Sequence, residues 1–206
     1  MLKNLTISLA VLLGISSITF AQEYTVDIEE SRKSNRLFLY AVNKNLVDLD
    51  VAITVHGTGF RQRKGVPRKT RVPATSKVNI ISLIVERGQE PVYTYTLDVT
   101  DSLSRRVIKK EYELIKIDPK KPITIYIPDN CKNCDSIIEP LKKTPYFFVA
   151  HKISEDEGIQ KQLERTFANS SRTLESIDTA IIALGSKMYI YIKTFDEMMA
   201  KLEEEE

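Results

Sequence analysis

The sequence predicts two units in tandem: an antiparallel β-sandwich of the immunoglobulin-like kind, then an α/β unit with the element order β-α-β-α-β-β-α. Three observations predict it. Apolar residues recur at every second position through residues 36–117, with no convincing helical period, whereas short continuous apolar runs alternate with helix signatures after residue 122. The segment Asp118-Pro119-Lys120-Lys121-Pro122 between them has linker composition. The charge changes sign at the same place: residues 22–121 hold 19 Lys/Arg against 13 Asp/Glu, and residues 122–206 hold 10 against 15. A chain of 206 residues has room for two such units of about 100 residues each. The boundaries read as 1–21 for a leader, 22–118 for the sandwich and 119–206 for the α/β unit.

The leader has the grammar of a secretory signal peptide. Lys3 supplies a short positive region, residues 9–18 are apolar, and the small residues Thr19 and Ala21 precede Gln22 in the pattern of a cleavage site. The run is interrupted by Gly14, Ser16 and Ser17, too short and too polar to span a bilayer comfortably. Cleavage after Ala21 places the mature protein in the periplasm or outside the cell, where disulfides persist, with no membrane span remaining.

In the sandwich, Val47, Leu49, Val51, Ile53 and Val55 alternate with Asp48, Asp50, Ala52 and Thr54, as in a half-buried strand. Tyr93, Tyr95, Leu97 and Val99 repeat the pattern, and residues 37–42, 78–85 and 107–117 supply further strands. Turn residues separate them: Asn43-Lys44-Asn45, Gly57-Thr58-Gly59, Gly88-Gln89-Glu90-Pro91 and Asp101-Ser102. Six or seven short strands within about 90 residues suit an antiparallel sandwich.

In the second unit, residues 123–127 and 146–151 read as buried strands and residues 131–143 as a helix. Ser154 followed by Glu157 has the spacing of a capping box for a helix through Leu163 and Phe167. Residues 179–184 and 188–192 flank Gly185-Ser186 as a hairpin, and Thr194 caps a final helix.

The chemistry concentrates in Cys131-Lys132-Asn133-Cys134, which falls between the first strand and first helix of this unit. A thiol at a helix N-terminus faces unpaired N–H groups and the positive end of the dipole, which favours thiolate. Lys132 adds a cation beside it. On this reading Cys131 is the attacking sulfur and Cys134 the resolving one. Three other readings of the pair stay open: half of a zinc site, for which only His56 and His151 are available as further ligands; a copper site of two thiolates; and an inert local disulfide.

The segment from Ile123 to Asp135, with Leu141, Gly185 and Phe195, resembles glutaredoxin over residues 122–202, and so implies a thioredoxin-like fold with thiol–disulfide exchange at Cys131 and Cys134. That family carries a cis-proline where this sequence has Asp178, and a Gly-Gly-Asp stretch where this one reads Tyr189-Ile190-Tyr191-Ile192-Lys193. The resemblance therefore places Asp178 beside Cys131 as a modulating carboxylate, or pointing into solvent. The first unit resembles the small β-sandwiches that precede catalytic domains in bacterial envelope proteins. The expected partner is an envelope protein bearing a dithiol or disulfide, and no cofactor is called for.

Arg61, Arg63, Lys64, Arg68, Lys69 and Arg71 crowd eleven positions. They form either a solvated loop between strands or a site for an anionic partner. Nucleic acid is excluded as that partner, because Phe60 is the one aromatic at hand for stacking and the overall charge is only +2. At 42% hydrophobic and 28% charged, the composition also excludes collagen-like, disordered and multi-span membrane classes.

Overall fold

A computed structural model describes residues 24–62, 67–168 and 172–204; the leader therefore lies outside the described residues. Among the described residues the chain is mainly antiparallel β-sheet with three α-helices, consistent with a β-rich arrangement of two units.

Eight strands precede the linker: β1 Asp27–Lys33, β2 Arg36–Asn43, β3 Leu49–Thr58, β4 Phe60–Arg61, β5 Thr70–Val72, β6 Ser76–Val85, β7 Val92–Thr100 and β8 Tyr112–Leu114. They form a sheet of order β1-β2-β6-β4, with β8 also on β6, and a second sheet of order β5-β3-β7. Every pairing is antiparallel. Leu37, Leu39 and Ala41 of β2 and Val78, Ile80, Leu83 and Val85 of β6 share one core with Leu49, Val51, Ile53 and Val55 of β3. Two sheets burying one face each against a common core make a sandwich.

The strand at 47–55 is less simple than its alternation suggests. Its polar position Asp50 is fully buried, and Ala52 is buried as well. Asp50 faces Arg71 across the β3–β5 pair. Its Oδ1 accepts from Arg71 Nε at 2.5 Å and its Oδ2 from the Ser104 N–H at 2.6 Å. Burial pushes this carboxyl up, but the Arg71 hydrogen bond and the Ser104 N–H outweigh burial and leave it below the usual carboxylate range.

The buried positions of β6 also change phase, from Val78 and Ile80 to Leu83 and Val85. A bulge explains it: the β2–β6 register shifts between Leu39, opposite Ile81, and Tyr40, opposite Asn79. Lys110 sits at the bulge, its Nζ donating to the carbonyls of Asn79 and Ile80 at 2.9 and 3.0 Å, and burial lowers its pKa. The expected strand at 107–117 shrinks to Tyr112–Leu114, because Lys110 turns into the bulge and Ile108 bridges to Thr70 instead.

Seven elements follow the linker: β9 Ile123–Ile127, α1 Cys134–Lys143, β10 Phe148–Lys152, α2 Glu157–Phe167, β11 Ile181–Leu184, β12 Lys187–Tyr189 and α3 Phe195–Glu203. Short 3-10 turns occupy Ile153–Glu155 and Leu174–Ser176. The sheet order is β10-β9-β11-β12, with β10 parallel to β9, β11 antiparallel to β9, and β12 closing a hairpin on β11. Ile123, Ile125, Ile182 and Leu184 pack against Ile137, Leu141, Met198 and Leu202 of α1 and α3. A separate cluster joins Ile181 and Tyr126 to Leu163 and Phe167 of α2. Alternate strand residues thus bury opposite faces of one sheet.

The cap of α2 differs from the capping-box expectation. Ser154 lies in the 3-10 turn and donates its hydroxyl to Asp129. Asp156 is the N-cap, its carboxylate accepting from the Gly158 and Ile159 N–H groups. The expected cap of α3 is present, with Thr194 Oγ1 accepting from Glu197 N.

Candidate functional site at the Cys131–Cys134 pair

The helix expected at 131–143 begins three residues late, so Cys134 is its first residue and Asn133 its N-cap. Cys131 lies in the turn that leaves β9, with its N–H donating to Pro128 O at 3.1 Å. The two sulfurs are joined in a disulfide, with Cα atoms 5.9 Å apart. Cys134 is buried among Ile137, Leu141 and Ile182, while Cys131 packs against that cluster and remains partly exposed. A reagent in solvent therefore meets Cys131 first.

Lys132 does not act as a free cation. Its Nζ pairs with Asp178 Oδ2 at 2.5 Å, and its N–H donates to the Asp178 carbonyl at 2.8 Å. Hydrogen bonding within this pair raises the Lys132 pKa and lowers that of Asp178. Both side chains are substantially solvated, so the pair adds little stability. Its effect is on charge: the cation expected to favour a thiolate is matched by an anion. Asp178 thus faces the site through Lys132, and no cis peptide bond occurs among the described residues.

Asn133 has a part in the site that the sequence does not signal. Its Nδ2 donates to Ile192 O at 3.0 Å and Lys193 O at 3.3 Å, and its Oδ1 accepts from Ala180 N at 2.8 Å. One side chain therefore ties the dithiol loop to the start of β11 and to the segment entering α3. The same Oδ1 lies 3.6 Å from Cys131 Sγ. Reduction would give Cys131 an S–H for which an amide oxygen is an acceptor, whereas such an oxygen offers nothing to a thiolate. An asparagine at a helix N-cap is common enough to pass as local capping; its long-range bonds have no signature in the sequence.

His56 lies on β3 and His151 on β10, where its ring stacks on Tyr126 at 6.0 Å. Among the described residues no group of three or more His, Cys, Asp or Glu is placed to hold a metal ion. In the basic segment, Arg71 is committed to Asp50, Lys69 pairs with Asp98 at 3.0 Å, and Arg61 stands 3.9 Å from Glu86. Arg68 is exposed, and Arg63 and Lys64 lie outside the described residues. Among the described residues no helix is long and apolar enough to cross a membrane.

No family model, curated protein or solved structure matches the chain.

Proposed function

We propose that the chain is an exported thiol–disulfide exchange protein, in which a divergent thioredoxin-like unit carries the Cys131–Cys134 pair and a sandwich unit precedes it. The observation that carries the reading is the asymmetry of the two sulfurs: Cys131 partly exposed ahead of α1, Cys134 buried at its first position. The strand order β10-β9-β11-β12, with helices on both faces, supports the same fold assignment. A disulfide and an export leader both suit an oxidising compartment.

The exchange runs in two displacements. With the pair reduced, the Cys131 thiolate attacks one sulfur of a partner disulfide, forming a mixed disulfide and releasing the partner's other sulfur as thiolate. Cys134, having lost its proton to solvent, then attacks Cys131 Sγ and expels the second partner thiolate. The Cys pair gives up two electrons and two protons, and the partner gains both. The reverse sequence oxidises a partner dithiol.

Trapping tests the assignment. Cys134→Ser is expected to accumulate mixed disulfides through Cys131, and Cys131→Ser few or none. Equal trapping by both variants, or by neither, would favour a binding or assembly protein whose pair is a structural disulfide. The fastening of the loop by Asn133 and by the Lys132–Asp178 pair is the observation on that side.

A further inference from the structure

Strand β7, Val92–Thr100, is a long edge strand that nothing in its sequence protects. It pairs with β3 over all nine residues without a register shift, and no described residue pairs with its other side. At about 3.4 Å per residue it offers a continuous main-chain edge of about 30 Å. Proline, lysine and bulges normally blunt such an edge, and β7 has none of them. Its one charge, Asp98, is matched by Lys69 at 3.0 Å. The other edges are blunted. β1 carries five charged residues in seven, and β4, β5, β8 and β12 are two or three residues long. β10 begins where Ile117 bridges to Tyr146 and ends on Lys152.

The side chains of β7 are complementary to themselves. Turned antiparallel about Thr96, the strand places Tyr95 opposite Leu97, Thr94 opposite Asp98, Tyr93 opposite Val99 and Val92 opposite Thr100, with Thr96 facing its own copy. Tyr93, Leu97 and Val99 pack against the sandwich core, and the period of two puts Tyr95 on their face, so apolar groups there meet apolar groups. On the other face no two charges of one sign stand opposite each other. A centre at any other residue leaves part of the strand unpaired, and one at Asp98 would oppose two carboxylates. The inner face has room: residues 24–26 and 97–101 border an open cavity of about 610 Å³. It lies beside the place that Tyr95 of a second copy, an exposed side chain, would take opposite Leu97.

We infer that a second copy of this chain docks along β7, Thr96 opposite Thr96, so that the sheet β5-β3-β7 continues across a two-fold axis into the sheet of the copy. The inference is independent of the exchange reading. Alternate residues of the two strands exchange pairs of main-chain hydrogen bonds, and the paired edge is closed to other strands.

Sedimentation equilibrium of the oxidised protein over a concentration series tests it, with one substitution made at two neighbouring outward positions. A reversible dimer is expected. Thr96→Lys sets two lysines opposite each other on the axis, and is expected to weaken the dimer about fivefold or more. Thr94→Lys sets each lysine opposite an Asp98 carboxylate, and is expected to leave the dimer at least about tenfold tighter than Thr96→Lys does at low salt, an advantage that shrinks as salt is added. Both threonines are exposed and both changes lower β-propensity alike, so the difference between the variants reports the pairing. A monomer at every concentration, or equal dissociation constants for the two lysine variants, would overturn the inference.

Discussion

Among single residues, Asn133 and Asp178 stand next to the exposed cysteine: Asn133 places an amide oxygen 3.6 Å from Cys131 Sγ, and Asp178 matches the charge of Lys132, the cation that would favour a thiolate. Removing the anion should free that cation: in a Cys134→Ser background, Asp178→Asn is expected to speed alkylation of Cys131 at neutral pH by about two- to threefold, the modest gain due to a solvated cation. An unchanged rate would mean that Lys132 has no hold on Cys131. Asn133→Ala strands the Ala180 N–H and two carbonyls, and is expected to cost about 1–3 kcal/mol in denaturant unfolding of the oxidised protein. In the sandwich, Asp50→Asn leaves Arg71 mostly buried without its anion, an expected loss of about 2–4 kcal/mol. Because the folded-state pKa of Asp50 is depressed, its contribution is present above the unfolded carboxylate pKa and is lost as pH falls through the folded value. The variant should therefore show a flatter acid limb of stability against pH than the wild type.

At the element scale, sequence patterns located most strands and helices but misjudged the places where side chains serve the backbone. β1, Asp27–Lys33, shows no apolar alternation because it is a charged edge strand, and it escaped the pattern altogether. Ser34, with φ of 52°, turns it directly into β2. Its charges have their own role, since Glu30 accepts from the Tyr93 hydroxyl and Arg32 pairs with Glu90 at 3.0 Å, linking the edges of the two sheets. Burial and Glu30 push the Tyr93 hydroxyl up to about 12. The residues Gly57-Thr58-Gly59 predict a turn at the end of β3, yet the strand continues through Gly57, paired with Tyr93. A Cβ on Gly57 would lie 2.1 Å from the Val92 carbonyl oxygen, so Gly57→Ala is expected to separate the ends of β3 and β7. Amide exchange at Tyr93 and Tyr95 should rise sharply in that variant, and unchanged protection would contradict the close approach. The phase change of β6 was equally illegible, because a bulge is set by pairing with β2 and not by the strand's own residues.

Over the whole molecule, the change of architecture was readable because it is written in period and charge. The change from alternating to continuous apolar runs marks the change from a sandwich to a sheet covered by helices on both faces. The location of the candidate site was readable as well, since Cys-x-x-Cys fell between a strand and a helix. Its fastening was not, because the bonds of Asn133 reach residues 47 to 60 positions away. Whether Cys131 and Cys134 exchange electrons with a partner is read from the reduction potential of the pair, by alkylation after equilibration in redox buffers. With the charge of Lys132 matched by Asp178, an exchanging pair is expected toward the reducing end of the range of known oxidoreductases, about −230 to −270 mV. A value below about −300 mV would instead mark a structural disulfide and overturn the exchange reading.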